Sequence, residues 1–270
     1  MLKASDLFDL DGNPFADLFE GTEYVWDALK KLKKYVNSVI VPNISAVRNG
    51  NVMITRTVIL YDGKALDSGF SIDTSGKKPL VILDGKVLKG ASIIYAGSFF
   101  MDDMIYIGKD TVIEPGALIK GPSVICNSTE VRQGAYLRGE CLVGNDCVVG
   151  HTTELKSAVM LGGSKAGHFA YIGDSILGKV NLGAGTKLAN LKVFETEVAV
   201  HVSGTAYPTG LKKFGAIMGD GVETGCNSVT TPGTILGKYV RLYPGATARG
   251  YCPPSKIIKT TARPVIEDLR

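Results

Sequence analysis

"IGKDTVIEPGALIKGPSVICNSTEVRQGAYLRGECLVGNDCVVGHTTEL", residues 107–155, carries the architecture of this chain in its spacing. Ile107, Ile113, Ile119, Ile125, Val131, Leu137, Val143, Val149 and Leu155 follow one another every six residues, and Leu161 continues the series. Neither a helix nor an ordinary alternating strand sustains that interval. Glycine often stands next to the periodic residue, as in Ile107-Gly108, Val143-Gly144 and Val149-Gly150, and "EPGA" and "RQGA" add more. Three such units make an 18-residue coil of a triangular solenoid, each unit supplying a short strand and a corner with its apolar residue pointing inward. Coils stacked this way cover one another's edges, so stability accumulates along the stack.

Working outward, the period continues through Ala166, Ile172, Leu177, Leu182 and Leu188 with three steps of five, which predicts tightened corners there. It resumes at Met218, Thr224, Thr230, Leu236, Leu242 and Ala248. Between the two runs lies an aperiodic segment, residues 190–214. Its Val193, Val198, Val200 and Val202 predict a β-ribbon arm turning near Ser203-Gly204. A long excursion from a solenoid is expected on its functional face.

The ends differ. Residues 1–100 read as an N-terminal cap, with an amphipathic helix over 22–36 (Val25, Trp26, Leu29, Leu32 and Val36 on one stripe) and irregular strands leading into the solenoid. The solenoid occupies 101–252, and 253–270 form a C-terminal tail after Pro253-Pro254. The expectation is one continuous mainly-β domain with dressed ends.

Composition narrows the function. The chain has 270 residues, 33 of them glycine, and a formal charge of +4 from 30 basic and 26 acidic residues. The basic residues are scattered, which argues against a nucleic-acid groove. No apolar run approaches a membrane span, and the N-terminus has acids where a secretion signal has bases. Five cysteines without a CxxC pair predict a reduced, cytoplasmic chain with no disulfide framework and no metal site.

The chemistry concentrates in "LKSAVMLGGSKAGHFAYIGDSILGKVNLGAGTKLAN", residues 155–190. The hexapeptide period together with "SKAGHFAYIGD" and "NLGAGT" resembles the left-handed parallel β-helix family of acyltransferases. Within it, the nearest likeness is to the acetyltransferase domain of bifunctional N-acetylglucosamine-1-phosphate uridyltransferases. The likeness is strong over 132–190 and resumes at 213–248. It does not reach the first 100 residues, where nothing resembles the glycine-rich nucleotide loop of that family's uridyltransfer domain, so the nucleotidyltransferase domain is expected to be absent.

The resemblance implies a left-handed β-helix and a CoA-dependent acyl transfer, from acetyl-CoA or another acyl-CoA, to the amine of a sugar phosphate or nucleotide sugar. His168 would be the general base. Arg132, Lys156 and Lys213 would contact the acceptor's phosphate and hydroxyls, and Tyr171, Asn181 and Asn190 its sugar or amine. Ala184 would meet the thioester end of the donor, Cys226 replaces a serine beside it, and Tyr243 and Pro244 stand where small alanines usually line the donor groove. Leu191-Lys192 also departs from the family's tyrosine and aspartate. A homotrimer with sites between chains is a further implication.

The residue types suit that reaction. A neutral imidazole can take a proton from an attacking amine, and a backbone N–H on a glycine turn can meet the oxyanion. Arg132 and Lys156 are 24 residues apart, close to one coil, which would let both reach one phosphate. Asp174 reads first as a turn-former, and His151 and His201 as surface residues. Two other readings stay open on these residues: a non-catalytic protein that binds sugar phosphates or nucleotide sugars, and a structural solenoid.

Overall fold

The computed structural model describes residues 2–260; the last ten residues of the expected tail lie outside the described residues. Three parallel sheets of short strands wind into a left-handed β-helix. Face I has eight strands from Ile105–Ile107 to Tyr251–Cys252, and face III eight from Phe99–Phe100 to Thr247–Ala248. Face II has eleven, because two antiparallel strands, Val58–Tyr61 and Lys64–Leu66, close its N-terminal end against Ser92–Ile94.

The six-residue period is visible as ladders of inward side chains. On face II, Ile113, Val131, Val149, Ala166, Leu182, Thr224 and Leu242 stand in register on successive rungs. Faces I and III add Ile125, Val143, Met160, Leu177 and Ile119, Leu137, Leu155, Ile172, and nearly all are fully buried in one core. Leu161 is not among them: Met160 takes the inward place, and Leu161 is buried on the outside under the N-terminal cap. One step of five residues therefore runs from Leu155 to Met160, and the others from Ile172 to Leu177 and Leu177 to Leu182.

The glycines beside the periodic residues have a steric cause. A Cβ on Gly108 would come within 2.6 Å of the Asn127 backbone nitrogen, one on Gly144 would strike the Leu161 carbonyl, and one on Gly150 the Gly167 carbonyl. Rungs spaced at about 4.8 Å leave no room for it.

Face I also turns an apolar row outward, Val124, Leu142, Val159, Ile176, Ile217 and Ile235, and the N-terminal cap covers it. The cap helix is Asp27–Val39, presenting Ala28, Leu32 and Val36 to the row. It starts later than the 22–36 reading because the Asp27 carboxylate accepts the Tyr24 N–H at 2.9 Å and holds residues 24–26 in a turn. Val25 and Trp26 are buried all the same. The helix stops at Ile40, two residues before Pro42, whose ring disfavours helix at the residue before it.

The arm is a hairpin, Val198–Val202 with Thr205–Leu211, turning at Ser203-Gly204. Its ribbon lies on the cap rather than on the site face: Tyr207 meets Tyr24 and Trp26 at ring distances of 5.8 and 6.4 Å. Only its stem, where Leu191 bridges Lys213, borders the residues described next. Among the described residues no helix is long and apolar enough to cross a membrane.

Candidate active site

Where face II turns into face III, the backbone carbonyls of one residue per coil form a vertical column. The Thr152 N–H donates to Gln133, Phe169 to His151, Gly185 to His168, Asn227 to Ala184 and Gly245 to Cys226. His151, His168, Ala184 and Cys226 thus stand on successive rungs of one corner, with Pro244 next. His168 is exposed, directly above His151 in the strand register, and Ala184 lies one rung beyond it. Phe169 holds the left-handed backbone of the corner with φ 53° and sets its ring edge against His151 at 5.2 Å. The His151 ring is fixed by the Gln133 carbonyl, 2.9 Å from Nδ1.

Just past that corner, on face III, a polar cluster gathers. The Tyr171 hydroxyl and the Asn190 amide converge over Gly173, where a Cβ would lie 2.6 and 2.8 Å from them. Asn190 donates to Asp174, whose two oxygens also receive the Lys156 ammonium at 3.3 Å each. Burial, with Glu154 and Asp174 nearby, holds the Tyr171 hydroxyl above the ordinary tyrosine range. Two of the three five-residue corners fall here, at Lys156-Ser157 and Gly173-Asp174. Asp174 adopts φ 46° and reaches Lys156 across neighbouring coils.

Two expected partners lie elsewhere. Arg132 follows the face II strand Glu130–Val131 and is clamped by Glu130 through Nε and Nη2 at 2.9 and 2.7 Å. The 24-residue interval to Lys156 is one coil plus one side, which carries Arg132 to a different face. Arg138 is the arginine one coil from Lys156: its N–H donates to the Leu155 carbonyl, and its Nη1 meets Glu154 at 2.7 Å. Counting the coil as 18 residues would have found it. Asn181 is exposed at the start of a face II strand, between Lys165 and Glu223, away from Tyr171 and Asn190.

Further along the column, where the donor is expected, Cys226 is exposed two rungs from His168. Pro244 packs its Cδ against Gly225, 2.6 Å from where a Cβ would stand, so only glycine admits it. Tyr243, about half exposed, lies under the Lys259 ammonium, 5.0 Å from the ring centre. Lys213 is exposed beside Phe214, whose N–H donates to the Asn190 carbonyl. Three of the other four cysteines are different in kind. Burial pushes the Cys126 thiol up to about 11 and those of Cys141 and Cys147 up to about 12, which leaves them packing groups.

Asp174, Gly173, Glu154 and Arg138 escaped the sequence reading. The first two looked like turn chemistry, and the last two are outward residues whose neighbours only the coil register brings together.

Comparison with known proteins bears on this arrangement. Residues 119–206 match the family model described as GMPPB C-terminal domain. A bifunctional sugar-1-phosphate nucleotidylyltransferase/acetyltransferase from Sulfurisphaera tokodaii is 40% identical over 208 residues, 70% of this chain and 47% of that one. A bifunctional protein GlmU from Cyanothece sp. is 30% identical over 220 residues, 69% of this chain and 45% of that one. The chain thus spans a little under half the length of these relatives. Among solved structures, a Francisella novicida UDP-N-acetylglucosamine acyltransferase is 14% identical with a TM-score of 0.27, over 63% of this chain and 65% of that one.

Proposed function

The chain resembles the hexapeptide-repeat acyltransferases in sequence and in fold, and from that premise we propose that it transfers an acyl group from coenzyme A to the amine of a phosphorylated sugar. The observation that carries the reading is the corner column: His168 and Ala184 occupy adjacent rungs, and the Tyr171–Asn190–Lys156–Arg138 cluster begins three residues beyond the histidine.

In this scheme the sugar amine sits at the corner with His168, and the thioester carbonyl lies over Ala184. The amine nitrogen bonds to the carbonyl carbon while His168 takes the nitrogen's proton. The Ala184 backbone N–H supports the oxyanion. Collapse breaks the carbon–sulfur bond, and the proton held on His168 passes to the departing thiolate. Arg138, not Arg132, is the arginine we place on the acceptor. Glu154 engages it through Nη1, leaving its other N–H groups for phosphate oxygens. Lys156 is oriented by Asp174, and Asn190 and Tyr171 hold the sugar ring.

The site is completed by a second copy of the chain, in a homotrimer. The support is an apolar lip: Phe169, Leu191, Val193 and Phe194 are all exposed, the last two by 93% and 87%, around a cluster that is otherwise polar. The alternative, a binding protein without turnover, draws on one observation. Tyr243 and Pro244 put bulk where a pantetheine arm would run, with Lys259 over the tyrosine.

CoA release from acetyl-CoA in the presence of glucosamine 1-phosphate tests the proposal, beside His168→Ala. We expect turnover in the wild type and a loss of roughly 10²–10⁴-fold in the variant. Tight sugar-phosphate binding without CoA release would favour the binding protein. Neither turnover nor binding would overturn both.

A further inference from the structure

The corner between face I and face II, on the far side of face II from the histidine column, carries a cavity. A full corner there places one residue in the left-handed backbone region at the same point of each coil. Asp110, Ser128, Asp146, Gly163, Gly221 and Ser255 hold it with φ between 53° and 72°. The five-residue step from Leu177 to Leu182 omits that residue, so the corner Gly178–Val180 is recessed. The rung before it, Gly162-Gly163, has no side chains to fill the recess. The N-terminal segment bridges over: Asn13 donates its amide to the Leu161 carbonyl, and the Asp9 N–H donates to Asp220 at 2.7 Å. The result is a cavity of about 980 Å³.

At its lip stands the one bulky residue in the series. Tyr239 takes the left-handed corner with φ 63° yet is 59% exposed, so packing does not compensate the strain. Its ring lies against Gly221, where a Cβ would come within 2.7 Å of Cε1. Glycine there lets the ring lie flat beside the cavity it lines.

We propose that this notch is a carbohydrate site that takes a neutral oligosaccharide, separate from the acyl-transfer centre and independent of that reading. Three features point to that chemistry. Five cationic and five acidic side chains line the cavity, so their charges cancel and an ion gains no net attraction. The lining mixes ammonium donors with carboxylate acceptors, which suits hydroxyl groups that both donate and accept. The tyrosine ring offers a flat apolar surface to the C–H face of a pyranose.

Isothermal titration of the intact protein with cellotriose, maltotriose and chitotriose tests the proposal. At least one is expected to bind in the millimolar range or tighter. Tyr239→Phe should bind as the wild type does. Tyr239→Asn, whose side chain tolerates the left-handed backbone, should weaken binding by roughly tenfold or more while raising Tm. No binding by any of the three trisaccharides overturns the proposal, as does Tyr239→Asn binding like the wild type. It is also overturned if inorganic pyrophosphate binds, Lys179→Gln abolishes that binding, and the sugars stay silent.

Discussion

Face I and face III are built on the same inward ladder and differ in what they turn outward. On face I the outward row is Val124, Leu142, Val159, Ile176, Ile217 and Ile235, a stripe that cannot face water and is covered by the Asp27–Val39 helix. On face III the equivalent row is Leu118, Tyr136, Glu154, Tyr171, Lys187, Val229 and Thr247, and among the described residues no cap lies on its charged members. A solenoid specifies its backbone through one residue in each unit and leaves the outward positions free. One face of the prism uses that freedom to bury an apolar stripe under a cap, and the other keeps polar and charged side chains at the equivalent positions.

The sharpest way to break the comparison is to truncate one residue from each row. Leu142 is fully buried between the solenoid and the cap, so Leu142→Ala should cost about 2–5 kcal/mol. Thr247→Ala, outward and exposed on face III, should stay within about 0.5 kcal/mol. Urea denaturation of both variants reads the difference. Equal costs would mean that the cap is not what face I is built for.

A smaller effect separates the two arginines. Arg138→Gln should raise KM for the sugar phosphate on the order of tenfold, the loss of one charge-assisted contact. Arg132→Gln should leave KM within about twofold, because Glu130 already occupies that guanidinium on another face. Steady-state kinetics with the acceptor varied would decide. The reverse pattern would move the acceptor to face II and undo the assignment of face III as the working face.

Legibility follows the same division. The inward ladder could be read from residue types alone, since burial acts on every unit in the same way. Its one slip, Leu161 for Met160, arose because Leu161 is buried too, but by the cap. Outward residues obey a different rule: they meet along the stack at intervals of one coil, 18 residues, or one or two fewer where corners are short. Arg138 with Lys156, and Lys156 with Asp174, follow that spacing. A reading by motif named Tyr171, Asn190 and His168, and it set Lys156 beside Arg132, which the coil register places on another face. The arm misled for a related reason. Its length suggested a functional role, yet its outward tyrosine found the aromatic pair Tyr24–Trp26 on the cap, and the ribbon went there.

The inward ladder has a single discord, and it gives the smallest and cleanest test. Thr224 and Thr230 occupy places that apolar residues hold on other rungs. Thr224 is reconciled: its Oγ1 lies 2.7 Å from the Thr186 hydroxyl and accepts the Gly183 N–H at 3.1 Å. Thr230 is not, since its buried hydroxyl has no hydrogen-bond partner among the described residues. Valine has nearly the same shape and leaves no such group to desolvate. Thr230→Val should therefore stabilise the fold by about 1 kcal/mol, whereas Thr224→Val should destabilise it by a similar amount, because it removes the buried hydrogen bond to the Thr186 hydroxyl. Opposite signs at two rungs of one solenoid would show that the repeat tolerates a polar inward residue only where a neighbouring coil supplies its partner. Equal signs would mean that the rungs relax around the hydroxyl, and that the ladder is softer than its burial implies.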